Sequence, residues 1–225
     1  MAVLDTIPPS INVGDIDTVF PDVMNYLARF TFYLALQSPS RNFSDEVEML
    51  LYNLERPETY SDDDYMPLGD PVPFSADGEA VVSHDEDALY ALVLKNHTDI
   101  GLFPYVLLFD PGTYTVEVFY APTNSDDPPL KPGGELQLGR SEECLAALWF
   151  VAGPEGRKDT GFVKVLFATE GSLELKFMEQ PAVVGYDEDG ELNFVSARNT
   201  SRSGGSTKPI TVSYTHLTLP TILRV

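Results

Sequence analysis

One cysteine and three histidines are the side chains in this 225-residue chain that could pair as nucleophile and base. A thiol attacks as its thiolate, and a histidine brought alongside by the fold is the usual way to generate one. Cys144 stands in Ser-Glu-Glu-Cys-Leu-Ala. Carboxylates at Glu142 and Glu143 would push a neighbouring thiol toward its protonated form, the wrong direction for a nucleophile. His84 precedes Asp85, His97 precedes Thr98, and His216 lies near the end of the chain. None stands in a motif that couples it to Cys144, so a buried, inert cysteine is expected. One cysteine and scattered histidines also fall short of a four-ligand zinc site. Asp62-Asp63-Asp64 and Asp187-Glu188-Asp189-Gly190 lack the spacing of a calcium loop and read as solvated acidic loops. The 35 acidic residues single out no pair at a spacing for glycoside hydrolysis. Gly133-Gly134 has neither a following helix nor a Lys-Ser/Thr, so it reads as a tight turn rather than a phosphate loop. No catalytic, cofactor-binding or metal residue is assigned, and no cofactor is expected.

A formal net charge of −21 points the same way. Such a chain repels phosphate backbones and anionic lipid surfaces, so neither nucleic acid nor membrane is expected as a partner. No apolar run approaches the ~20 residues of a membrane span. The opening MAVLDTIPPS lacks the basic and apolar regions of a secretory signal. A single cysteine excludes an internal disulfide and fits a reducing compartment. The expected location is therefore cytoplasmic. Asn42-Phe43-Ser44, Asn96-His97-Thr98 and Asn199-Thr200-Ser201 match the glycosylation triplet and read as chance matches in that setting.

The elements that position these residues read mainly as β. Ile16, Val19, Phe20, Val23, Met24, Leu27, Phe30 and Leu34 form one helical stripe, widened by Phe32, Tyr33 and Leu36. Such a helix packs on a sheet. Residues 46–55 are a strand or a helix. Residues 58–87 hold ten Asp or Glu, no Lys or Arg, and Pro67, Pro71 and Pro73, the composition of an acidic linker or long loop. Three strands follow at 88–95, 102–109 and 113–120. In the third, Tyr114, Val116, Val118 and Tyr120 share one face. Asp110-Pro111-Gly112-Thr113 predicts a type II turn with Gly112 at positive φ. Further strands are predicted at 135–138, 145–151, 162–169 and 173–178, the last with Leu173, Leu175 and Phe177 inward. Tyr105, Tyr114, Phe119, Tyr120 and Trp149 are expected to pack in the core, as are Phe109, Val116 and Phe167. Turn signals every 8–12 residues predict an antiparallel β-sandwich with one N-terminal amphipathic helix.

Residues LFPYVLLFDPGTYTVEVFYAP (102–122), DPPLKPGGELQLG (127–139), TGFVKVLFATE (160–170) and FMEQP (177–181) carry a resemblance. Their order and spacing resemble the region that follows the peptidase domain in caspase-like cysteine peptidases of basidiomycete fungi. The helix 23–38 and the segment 46–55, taken as a strand on this likeness, fit the same region. The likeness covers about residues 18–181. It departs at Phe119-Tyr120, where Trp-Tyr is frequent, and at Val163, where Leu is usual. The resemblance implies an accessory domain, not the protease, with its own peptidase domain or another protein as partner.

The last residues resemble something else. VSYTHLTLPT (212–221) is similar to a translated sequencing adapter, so 212–225 is expected to be a library scar, and the chain a fragment. The expected organisation is an N-terminal helix plus strand (1–56), an acidic linker (57–87), a β-sandwich accessory domain (88–181) and a disordered tail (182–225). The expected function is a non-catalytic regulatory or protein-interaction domain of a fungal caspase-like peptidase. The alternative is a stand-alone β-sandwich that binds a peptide or carbohydrate.

Overall fold

The computed structural model describes residues 16–37, 43–56, 58–59, 61, 64–76, 78–82, 88–150, 160–170, 173, 175–186, 192–194 and 215–224. In chain order they form α1 (Ile16–Ala35), β1 (Val47–Leu54), β2 (Leu68–Val72), β3 (Ala80–Val81), β4 (Tyr90–Asn96), β5 (Phe103–Asp110), β6 (Thr115–Tyr120), β7 (Glu135–Leu138), β8 (Thr160–Ala168), β9 (Val184–Tyr186), β10 (Leu192–Phe194) and β11 (Thr215–Arg224). One sheet has the order β2-β1-β4-β7 and is antiparallel throughout. The other has the order β3-β11-β8-β5-β6 and is antiparallel except where β11 meets β3. β9 and β10 form a separate hairpin.

Alternation decides which residues enter the space between the two larger sheets. Val47, Met49 and Leu51 of β1 point inward, and Glu48 points out. Tyr90, Leu92 and Leu94 of β4 and Leu136 and Leu138 of β7 join them. Val106 of β5 and Val163, Val165 and Phe167 of β8 face them from the second sheet. Fully burying each such side chain contributes about 1.5–3 kcal/mol. The mainly β sandwich with one N-terminal helix is therefore the observed fold.

Within the second sheet, β5 and β8 are buried on both faces. The alternate residues Phe103, Tyr105, Leu107 and Phe109 of β5 and Leu166 and Ala168 of β8 turn away from the sandwich. Helix α1 and the turn that carries Leu175 and Met178 pack on this face. Phe30 meets Phe109 edge-on at 5.4 Å and Tyr114 at 5.5 Å between ring centroids. This double burial is why β5 reads as a continuous apolar run.

Several expectations need correction. β5 and β6 pair Val106 with Tyr120 but Leu107 with Val118, leaving Phe119 as an extra residue. That bulge bends the alternation. Val116 and Val118 face the helix, whereas Phe119 and Tyr120 pack into the sandwich. The preceding turn is not type II, because Gly112 does not take a positive φ and Tyr114 does, at 60°. Asp110 closes this turn by accepting from the Gly112 N–H at 2.7 Å and from the Thr113 hydroxyl. The described residues of 173–178 form no strand. Met178 N–H donates to Leu175 O at 2.8 Å in a helical-type turn. Leu175 and Met178 are buried, and Phe177 is exposed. Of 145–150, one bridge survives, Leu148 to Tyr90.

The expected boundaries also shift. The segment expected as a linker (57–87) carries β2 and β3 and buries Met66, Ala80 and Val82. β1, assigned to an N-terminal unit, pairs along its length with β4 of the sandwich. The expected disordered tail (182–225) contains β9, β10 and β11, and β11 pairs with β8, since a run of β-forming residues gains ladder hydrogen bonds there. Residues 196–214 and 225 lie outside the described residues.

Candidate functional site

Helix α1 has more apolar surface than the sheet can cover. Val23 is buried, and Phe30 is buried against the sheet. Phe20, Met24, Ala28 and Phe32 recur every four residues, which places them along one inclined ridge that winds round the outer side of the helix. All four are exposed, Phe20 by 56% and Phe32 by 61%. The sequence reading counted Phe20 and Met24 in the sheet-facing stripe. They lie on a second stripe beside it.

Phe177 extends this seam. The turn that carries it is fixed by Tyr105, whose hydroxyl accepts from the Leu173 N–H at 2.6 Å. It is also fixed by Gln180, whose backbone exchanges hydrogen bonds with Val116 and whose side-chain amide donates to Tyr114 O at 2.7 Å. Arg29 donates to Phe177 O at 2.7 Å and lies 5.6 Å from the Tyr33 ring centre. Tyr33 packs edge-on against both Phe32 (5.7 Å) and Phe177 (6.4 Å). Phe32, Tyr33, Phe177 and Arg29 thus form an aromatic and guanidinium cluster. Side chains of this kind dominate binding energy at protein interfaces.

Beneath the helix lies Lys164, 2% exposed. Its ammonium donates to the carbonyls of Tyr33 (2.5 Å), Leu34 (3.0 Å) and Leu36 (2.8 Å). These carbonyls lie at a helix C-terminus, where a cation is favourable; Tyr33 O also accepts from the Leu36 N–H at 3.4 Å. Burial pulls its pKa down to about 7. Lys164 therefore ties the end of α1 to β8, a role the sequence reading missed. The signal available was a lysine within the apolar run Phe162–Ala168.

Cys144 is half-buried, and its thiol donates to Ala146 O at 3.5 Å. Burial pushes the thiol pKa up. The direction agrees with the sequence reading, but the cause is desolvation rather than the neighbouring carboxylates. His97 lies 3.7 Å from Glu48 at the β1–β4 edge. His216 is in β11, and His84 lies outside the described residues. So do Asp62, Asp63 and Asp187–Gly190; Asp64 accepts from Ser61 N–H at 2.7 Å. Among the described residues no group of three His, Cys, Asp or Glu side chains converges to hold a metal ion. Gly133 takes φ 62° in the expected turn. Of the expected core aromatics, Tyr105 and Tyr120 are buried and Tyr114 and Phe119 partly so, but Trp149 is 69% exposed. An open cleft of about 590 Å³ has Phe103 in its wall and the exposed carboxylates of Asp126 and Glu170 at its rim. Among the described residues no helix is long and apolar enough to cross a membrane.

Comparison with known proteins finds no matching family model, curated protein or solved structure.

Proposed function

We propose that this chain is a non-catalytic interaction domain that docks a protein on the outer seam of α1. The seam Phe20, Met24, Ala28 and Phe32, completed by Phe177, carries this reading. It supports a helix-in-groove or helix-on-surface contact with an apolar counterpart. The resemblance supplies the partner: the peptidase domain of a basidiomycete caspase-like cysteine peptidase, to which this chain would be the accessory domain. The raised thiol pKa of Cys144 fits a chain that contributes no nucleophile. Calorimetric titration of the purified chain with such a peptidase domain tests the reading. Saturable binding is expected, lost in Met24→Ser and Phe32→Ser while the thermal midpoint holds. No binding, or binding indifferent to both substitutions, refutes it.

Trp149 favours a second reading, a stand-alone module for a peptide or carbohydrate. It is the one tryptophan of the chain and stands 69% exposed, in the same segment as the exposed Leu145. Its fluorescence would shift on addition of soluble oligosaccharides or peptide pools if this surface binds them.

A further inference from the structure

β8 has one edge on β5 and the other on β11. The β5 ladder is continuous from Phe103↔Ala168 to Phe109↔Phe162. The β11 ladder is not. Thr215–Leu217 pair with Phe167–Val165, and Thr221–Arg224 pair with Val163–Thr160. Between them, residues 218–220 of β11 stand against the single residue Lys164. Pro220 sits in this break and has no N–H to give a ladder. Beyond β11, β3 adds parallel register only at Ala80 and Val81.

From this geometry we infer that the outer edge of β8 is a strand-accepting site for an extended segment of a partner protein, with β11 as an imperfect occupant in cis. The partner segment runs antiparallel to β8 and alternates apolar and polar residues. It carries no proline at its centre, so it pairs through the position of Lys164, where β11 cannot. Backbone groups of an edge strand supply the affinity of such an addition, and alternate side chains supply its selectivity. β8 suits this role because both its faces are already buried. Val163, Val165 and Phe167 lie in the inter-sheet core, with Leu166 and Ala168 under the helix layer. An added strand therefore extends a sheet whose flanking layers exist. This edge is separate from the helix seam, and the seam substitutions leave it intact.

The test uses the full chain and a fluorescein-labelled peptide with the sequence of residues 215–224 carrying Pro220→Thr. Anisotropy should show saturable binding below about 1 mM. In the same experiment, amide exchange should accelerate in 215–224 while β8 stays protected. Pro220→Thr within the chain gives the cis strand back the N–H it lacks and should weaken probe binding by about tenfold or more, equivalent to about 1.4 kcal/mol. Leu217→Pro loosens the cis strand and should strengthen probe binding, with protection of β5 amides reporting that the sandwich persists. Absence of binding at about 1 mM, binding with β11 still protected, or equal affinity for the wild type and Pro220→Thr overturns the inference. So does a concentration-dependent dimer in which β11 pairs with a second copy, because the occupant is then the chain itself.

Discussion

The two faces of the sheet that contains β5 and β8 are built from the same strands and end differently. The inner face meets a second sheet and closes: Phe167, Val106 and Leu138 have no exposed surface. The outer face meets one helix and the turn at 175–178. That helix buries Phe30, brings its own exposed line of Phe20, Met24 and Phe32, and is held down at its end by a buried lysine. A sheet-on-sheet contact interdigitates across two broad surfaces. One helix covers about one stripe, and its remaining circumference faces outward. The inner layer therefore carries stability, and the outer layer is where a second molecule can add surface without disturbing the core.

The largest predicted effect tests the inner face. Phe167→Ala removes a fully buried ring that also meets Phe43 edge-on at 5.9 Å. It should cost about 3–5 kcal/mol in denaturant unfolding. A loss near zero would mean that the inner face is not the dominant core. Next comes Gly139, where the chain leaves β7 with φ 131° and an added Cβ would lie 3.0 Å from Ala91 Cα and from Tyr90 O. Gly139→Ala should cost about 1–3 kcal/mol by the same measurement.

Lys164 gives a pH signature specific to the outer face. Burial lowers its pKa from 10.5 to about 7. Between about pH 7 and 10 the unfolded chain therefore holds a proton at this lysine that the folded chain releases. Stability should rise with pH across that window, by at most about 1.4 kcal/mol per unit. The three helix carbonyls favour the ammonium and so narrow the window from its low-pH side. Above pH 10 the trend reverses, because burial raises the Tyr120 phenol to about 12 and the unfolded tyrosine ionises first. Urea midpoints measured from pH 6 to 11 should show this profile, and Lys164→Met should flatten the rising limb alone. The smallest effect is on the seam: Phe32→Ser should change unfolding free energy by no more than about 0.5 kcal/mol. A larger loss would show that Phe32 belongs to the core rather than to a binding surface.

What could be read from the sequence follows the same division. Alternation and apolar runs located β4, β5, β7 and β8 within two residues, because strands buried between layers leave strong patterns. β2 and β3 were hidden: Gly69, Asp70 and Pro71 break any alternation, and β3 spans two residues. The Phe119 bulge left no mark, since an extra aromatic in an aromatic run looks like continued strand. At Leu175 and Met178 a three-residue spacing competed with alternation through Leu173, Leu175 and Phe177, and a turn won. The width of the α1 stripe was legible. How much of it the sheet would cover was not, because that depends on where β6 and the 175–178 turn end.

Asn96-His97-Thr98 bears on any compartment that glycosylates. The Asn96 amide nitrogen donates to Ile100 O at 2.8 Å and Lys131 O at 3.0 Å. Its oxygen accepts from the Thr98 N–H and hydroxyl. That nitrogen is the atom to which a sugar would be joined. A glycan there would take one of its hydrogens and could not fit where Asn96 is 1% exposed. Glycosylation at this triplet and the packing of Asn96 against Ile100 and Lys131 are mutually exclusive, and whichever happens first forbids the other.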